Sequence, residues 1–212
     1  MEKLLENIKV NAQSSIHISG KDSIYFDPYQ IAQDSQDADM IFITHEHYDH
    51  FSSEDIEKVA REDTIYIVPK SMHDSIKKTG VDDERIHTMK PEDLETIKGI
   101  KVEAVPAYNI NKEFHPKENG WLGYVITVDN TRIYVSGDMD ATPESKQVKC
   151  DIAMIPIGGY YTMDLKEAAA YINETKPKTV IPTHYGTVVG NAEDGLKFKK
   201  LINEPIQVKI LL

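Results

Sequence analysis

Four residues that can bind a metal fall within six positions: His45, His47, Asp49 and His50, in the run Thr44-His45-Glu46-His47-Tyr48-Asp49-His50. The whole chain has eight histidines, so three of them within six positions, beside the Asp49 carboxylate, is far from an even scatter. Imidazole nitrogens and carboxylate oxygens are ligands for divalent metals. In an extended segment, residues two apart point to the same side, so His45 and His47 can converge on one point. Asp49 lies where the chain bends and His50 follows out of phase, so these two face a second point nearby. The spacing predicts two metal ions, with His45 and His47 on the first and Asp49 and His50 on the second. The bland alternative is a surface loop that happens to be rich in histidine.

The flanking elements suit a site. Upstream, Met40-Ile41-Phe42-Ile43 is an unbroken apolar run, the pattern of a strand buried on both faces. Downstream, Ser52-Ser53-Glu54-Asp55 is a helix start signal, with Ile56, Val59 and Ala60 as the apolar stripe. Two more candidates share this placement. Asp138 follows the strand Arg132-Ile133-Tyr134-Val135, and His184 follows Thr179-Val180-Ile181. Strand ends are where ligand-binding loops gather, and Gly137 and Gly186 allow tight turns there. Beside the six-residue cluster, Asp138 and His184 read as the completion of a two-metal set; alone, they would be a turn Asp and a capping His. Asp27 ends a strand just before Pro28. It either orients a ligating histidine from behind or caps the turn.

Elsewhere the pattern predicts hairpins over 15–26 and 94–105 and strands over 64–68 and 121–128. Helices are expected over 71–79, over 164–174 with Thr162 as its cap, and over 192–201, with a last strand over 206–211. No linker, repeat or low-complexity tract divides the 212 residues, which predicts one domain over 1–212. Composition is that of an ordinary globular protein, at 40% hydrophobic and 28% charged. Residues 1–10 lack the apolar core of a signal peptide, and no run is long enough to span a bilayer. With Cys150 alone, no internal disulfide is possible, so a cytoplasmic location is expected. A net charge of −11 counts against nucleic acid as a partner. A homo-oligomer is left open.

The three motifs together resemble a known family. Thr-His-Glu-His-Tyr-Asp-His, Ser-Gly-Asp-Met-Asp and Pro-Thr-His-Tyr-Gly look like the H-x-H-x-D-H, G-D and terminal-His motifs of metallo-β-lactamase-fold hydrolases. The likeness covers nearly the whole chain. With Tyr25-Phe26-Asp27-Pro28 in the opening hairpin, it is nearest to the compact branch that includes ascorbate-6-phosphate lactonase-like proteins and, more distantly, phospholipase D-type members. The resemblance implies a four-layer αββα sandwich with a two-metal cleft at one edge. It implies His45, His47 and a further His on one metal, Asp49, His50 and His184 on the other, and Asp138 bridging them. The chain departs from the pattern at that further ligand. Phospholipase D-type members carry it in a Pro-Ala-x-His stretch, and here Asn109 stands at the matching place in Pro106-Ala107-Tyr108-Asn109. His115 is the nearby histidine that could replace it; otherwise Asn109 or water completes the first site.

No serine or cysteine nucleophile motif and no phosphate-cradling loop is present. The expected chemistry is therefore hydrolysis by a hydroxide bridging two divalent ions, with Asp49 and Asp138 as the catalytic carboxylates. Zinc is the first expectation for an imidazole-rich site, with manganese or iron(II) as alternatives. Lys117 is expected to meet an anionic group, and Tyr160, Tyr161 and Tyr185 to contact a small-molecule substrate. The leading reading is a hydrolase of a small ester, lactone or phosphoester. Its rivals are a phosphodiesterase for a larger phospholipid- or nucleotide-like substrate and a non-catalytic metal-binding or ligand-sensing protein.

Overall fold

Apolar runs in this chain alternate between two buried faces, and that alternation sets the architecture. The computed structural model describes residues 1–212. After a short helix α1 (Glu2–Glu6), six strands form one sheet in chain order: β1 (Ile8–Val10), β2 (Ile16–Ile18), β3 (Ile24–Phe26), β4 (Ala38–Phe42), β5 (Ala60–Pro69) and β6 (Ile86–Met89). The pairs from β3 to β6 are parallel, and β1 to β3 are antiparallel. The second sheet holds β7 (Leu94–Ile97), β8 (Ile100–Pro106), β9 (Leu122–Val128), β10 (Thr131–Val135), β11 (Ile152–Pro156), β12 (Thr179–Thr183) and β13 (Gln207–Val208). Here β7 to β10 are antiparallel and β10 to β13 parallel.

Parallel strands covered on both faces need apolar side chains on both faces, which explains the unbroken runs. Along β4, Met40 and Phe42 enter the core between the sheets. Ile41 and the following Ile43 face outward, onto α2 (Ser53–Val59) and α3 (His73–Lys77), where Ile56, Val59 and Ile76 meet them. Along β11, Ile152 and Met154 face the same central core, and Ala153 and Ile155 face α4 (Leu165–Thr175) and α5 (Asp194–Lys199) through Ala168, Ile172 and Phe198. The layers run helix, sheet, sheet, helix, as in the metallo-β-lactamase fold. In the central core Phe26 stacks on Phe42 at 4.6 Å between ring centroids, and Tyr124 of β9 meets Phe42 edge-on at 5.2 Å. The buried Tyr124 hydroxyl donates to the Ile43 carbonyl at 2.9 Å, tying the second sheet to the strand end that precedes His45.

Several element boundaries differ from expectation. Ser52 caps α2 as its side chain accepts from Asp55 N–H, but Asp164, not Thr162, caps α4. The Asp164 carboxylate accepts from two amides and Glu167 reaches back to the Asp164 amide, closing a capping box that a buried threonine two residues earlier cannot form. The helix expected over 71–79 divides into a 3₁₀ turn, Lys70–Met72, and α3, and β5 begins directly after α2. The last helix and strand are shorter than expected, at Asp194–Lys199 and Gln207–Val208, because β13 is an edge strand registered on β12 over two residue pairs. No helix is long and apolar enough to cross a membrane.

Phe42→Ala removes a fully buried ring from the contact between the sheets and should cost about 3–5 kcal/mol. Leu94→Ala, at a side chain 69% exposed, should stay within about 0.5 kcal/mol of wild type. Urea unfolding of the two variants reads the contrast; equal shifts would mean that the shared core does not carry the stability assigned to it.

Candidate metal centre

The site is built where strands of both sheets end on the same side. From the first sheet come Asp27, just past β3, and the run His45 to His50, just past β4. The second sheet contributes Asp138 past β10, His184 past β12, and His115 from the loop between β8 and β9. Gly137 has φ +63°, and a Cβ there would lie 3.0 Å from Thr44 Cβ and 3.1 Å from the Leu122 carbonyl, so the turn into Asp138 needs glycine twice over.

Three groups of side chains present ligand atoms within 4.8 Å of one another: His45, His47 and His115; His45, His50 and Asp138; and Asp49, His50 and His184. The first and third match the two expected ligand sets. Asp138 lies between them: its Oδ2 is 3.0 Å from His184 Nε2 and 3.4 Å from His115 Nε2, and its Oδ1 is 3.5 Å from His50 Nε2. Asp49 Oδ2 is 3.2 Å from His184 Nε2 and 3.7 Å from His50 Nε2. All of these except His47 are buried.

Three of the imidazoles, His45, His50 and His115, are oriented by a partner on the far side. Fully buried Asp27 accepts from the Thr44 amide at 2.8 Å through Oδ1, and from Thr44 Oγ1 and His50 Nδ1, both at 2.7 Å, through Oδ2. A carboxylate only accepts, so His50 carries its proton on Nδ1 and turns Nε2 to the site. With its proton given to Asp27, the Thr44 hydroxyl accepts from His45 Nδ1 at 3.0 Å, leaving His45 Nε2 free. It faces His47 Nδ1 at 3.0 Å. Asn109 does the same for His115: its Oδ1 accepts from His115 Nδ1 at 2.9 Å and from the His115 amide at 3.1 Å. Asn109 therefore stands behind the histidine, and His115 Nε2 faces inward.

Buried and without hydrogen-bond partners are His50 Nε2, His115 Nε2 and Asp138 Oδ1. Orphaned polar atoms at this depth are costly, and three of them converging beside further imidazoles and carboxylates fit divalent ions. The electrostatics agree. Burial alone would raise the Asp138 carboxyl, but the His184 and His50 imidazoliums outweigh it and hold it well below the usual range. Burial would lower His184, but Asp138 and Asp49 raise it to about 9, and Asp138 and Asp27 likewise hold His50 well above the usual imidazole value. His45, buried beside the His50 charge, is pushed well down.

A cavity of about 190 Å³ opens onto this cluster, with His47, Asp49, His115, Asp138 and His184 at its base and Tyr48, Phe114, Tyr161 and Val188 at its mouth. A larger open cleft, about 510 Å³ over Ile8, Val10, His17 and Tyr25, contains none of the three ligand groups. Of the expected substrate contacts, Tyr161 lines the cavity, and the exposed Tyr160 stands next to it with its ring centroid 4.7 Å from that of Tyr161. Two expectations are corrected. Lys117 is drawn away by Glu144 at 2.7 Å and lies over the Tyr108 ring, in a separate cleft behind the His115 loop. Tyr185 is 1% exposed and packs into the core under α4 and α5.

Sequence reasoning missed three residues. Trp121 packs within about 5–6 Å of the His45, His47 and His115 rings, walling the first group. Gln13, fully buried, accepts the His184 amide on its carbonyl and the Thr187 hydroxyl on Oε1, with Nε2 3.5 Å from Asp49. Gly158 is pressed against the His184 carbonyl, where a Cβ would come within 2.2 Å. Only Gly158-Gly159 carried a local signal, as a glycine pair at a strand end.

The chain matches the family described as a beta-lactamase superfamily domain over residues 8–184. It is 30% identical to a UPF0173 metal-dependent hydrolase of Thermococcus onnurineus, with 96% of this chain and 95% of that protein covered. A candidate metal-dependent hydrolase of Parabacteroides distasonis, solved by crystallography, is 32% identical with a TM-score of 0.80, covering 96% of this chain and 91% of the other. Igni18, a metallo hydrolase of Ignicoccus hospitalis, shares the fold at a TM-score of 0.79 and 20% identity, over 96% of this chain and 93% of its own.

Two outcomes follow from this geometry. Asp27→Asn removes the acceptor that orients His50 and should weaken metal affinity about 10–100-fold while leaving the fold intact, read by competition with a chromogenic chelator and by circular dichroism. An unchanged affinity would reduce Asp27 to a turn cap. Because Asp138 and Asp49 raise His184 to about 9 and His50 is raised as well, a metal binding at neutral pH must displace protons, and affinity should rise with pH from neutrality upward. Calorimetry in buffers of different ionisation enthalpy counts the released protons; none released at pH 7.5 would contradict the protonated His184.

Proposed function

This chain belongs to the beta-lactamase superfamily and is a metal-dependent hydrolase, and from that premise we propose that it is dinuclear and cleaves a small ester, lactone or phosphoester. The supporting observation is the convergence of the His45/His47/His115 and Asp49/His50/His184 groups on either side of Asp138, with unpartnered nitrogens aimed inward. His45, His47 and His115 would hold one ion, Asp49, His50 and His184 the other, and Asp138 would serve both. Bound there, the ions supply Lewis acidity toward the scissile carbonyl or phosphoryl oxygen and make water a nucleophile at neutral pH.

The chain's own residues do the rest. Asp49 lines the cavity and is held ionised, because the His184 hydrogen bond and the His50 charge outweigh its burial. It is placed to orient the attacking water and accept its proton. Asp27 and Asn109 keep the Nδ1 protons of His50 and His115 turned away from the substrate. Trp121 shields the imidazoles of the first group from solvent. A cavity of about 190 Å³ is below the ~300–1,000 Å³ of pockets for drug-sized ligands, which favours a small substrate over a phospholipid or nucleotide.

Zinc suits the imidazole majority of the donors, with manganese and iron(II) behind it. Cys150 is the single cysteine and its thiol is free, in keeping with a cytoplasmic setting. One domain over 1–212 accounts for a core to which both sheets contribute.

Asp138→Ala should lose at least one equivalent of metal and lower turnover of ester, lactone and phosphoester substrates by at least about a thousandfold, since a group serving both ions is removed. His115→Ala should bind about one ion where wild type binds two. Elemental analysis of the purified proteins reads both; two ions per chain in either variant would overturn the assignment of that residue.

A further inference from the structure

We propose, resting on the hydrolase reading above, that the part of the substrate remote from the scissile bond is a short, uncharged apolar group, and that Phe114 and Tyr161 select it. The mouth of the cavity is an aromatic collar drawn from separate loops. Phe114 meets Tyr161 edge-on at 4.7 Å and Tyr160 at 5.4 Å, and Tyr160 meets Tyr161 at 4.7 Å. Tyr48, on the histidine loop, and Val188, beyond His184, stand at the same opening. Phe114, Tyr160, Tyr48 and Val188 are 38%, 71%, 63% and 39% exposed, so apolar surface is left open at the one place where a substrate must enter.

The loop that carries Tyr161 is tied to the site. Asn109 donates from Nδ2 to the Tyr161 carbonyl at 3.0 Å while its Oδ1 holds His115. The residue that aims a candidate ligand therefore also anchors the backbone at Tyr161, linking the reacting centre to one member of the collar.

The decisive feature is charge. No lysine or arginine lines the cavity. The two nearest lysines of the His115 loop are neutralised behind it, Lys112 by Asp140 at 2.6 Å and Lys117 by Glu144 at 2.7 Å. Beyond the ligand groups at its base, the collar where the tail would lie offers no lysine or arginine, so an anionic tail would leave water there without a neighbouring counter-charge, in a chain of net charge −11. An alkyl or aromatic tail loses nothing polar and covers exposed rings. At about 30 Å³ per water, the cavity displaces roughly six waters when filled, which limits the tail to a few carbons.

The test compares p-nitrophenyl acetate, butyrate and hemisuccinate on the metal-loaded protein, corrected for spontaneous hydrolysis. Butyrate should exceed acetate in kcat/KM by about tenfold for its two further methylenes. Hemisuccinate, equal in length but anionic, should fall at least about tenfold below butyrate. Phe114→Ala and Tyr161→Ala should flatten the butyrate-to-acetate ratio, and Phe114→Leu, which keeps apolar area, should restore most of it. In parallel, saturation-transfer NMR with 2-pentanone, a neutral ketone with no bond to hydrolyse, should show binding that both alanine variants weaken. Ester turnover with a flat ratio, or with hemisuccinate matching butyrate, overturns the apolar selection and leaves the hydrolase standing. Ketone binding that depends on Phe114, without turnover of any of the three esters, supports the apolar site and removes the small-ester form of the hydrolase reading. Absence of ketone binding from the wild type overturns the proposal whatever the turnover.

Discussion

A carboxylate with no access to water has to find donors inside the protein, and Asp27 sets the site by finding them. It is completely buried, and burial pushes its pKa up; the His50 charge and the bonds from His50 and Thr44 work against that rise. Its donors lie on the neighbouring strand end: the Thr44 amide, the Thr44 hydroxyl and His50 Nδ1. These bonds fix the chain direction as it leaves β4, so His45 and His50 are aimed before any ion arrives. Removing any one donor would leave a buried acceptor underpaired, at a cost of about 1–3 kcal/mol. The preference for this loop shape is therefore steep. The sheet pairing brings the two strand ends together, since Phe26 registers with Phe42 and Asp27 then accepts no partner but the residues just past β4.

The second sheet meets this arrangement through a different device. Tyr124 reaches from β9 to the Ile43 carbonyl, one residue before Thr44. Thr44 in turn gives its carbonyl to the Leu122 amide. These two bonds place the end of β4 in register with the start of β9, and Gly137 allows the turn after β10 to close against Thr44. The candidate ligands from the two halves of the chain are therefore brought together by a β4 that is locked from both sides.

Legibility in the sequence follows the range of the interactions. The run His45 to His50 is readable because spacing along one extended segment decides which side chains can converge. The β4 and β11 runs are readable because unbroken apolar residues require cover on both faces. Asp138 and His184 needed one more step, their position at strand ends, and Asp27 could be placed only as one of two alternatives. Beyond that the information is not local. Glu144, which captures Lys117, is 27 residues away, and Tyr161, whose carbonyl Asn109 binds, is 52 residues away. Gln13 and Thr187 are 174 apart. Asn109 and His115 looked like rivals for one place because a flexible-looking loop gives no direction to its side chains; in the fold they occupy successive places on one line, one holding the other.

The metal-free site is already balanced. Asp138 stays ionised beside His184 and His50, and these two imidazoles are held protonated by Asp138, Asp49 and Asp27. Protons on the histidines thus stand where cations would stand, and the buried carboxylates are never left unpaired. A site built only of carboxylates would repel itself without metal, and a site built only of neutral imidazoles would gain little from closing. In the mixture, an entering ion exchanges for protons, and no carboxylate is left unpaired before it arrives. The two groups differ in this respect. The second carries one carboxylate, Asp49, and is buried throughout, whereas the first is all imidazole, with the partly exposed His47 at its edge and His45 pushed down by burial. On the dinuclear reading proposed above, the carboxylate that the second group adds to its imidazoles would make it the tighter place, and the all-imidazole first group would be the one that exchanges.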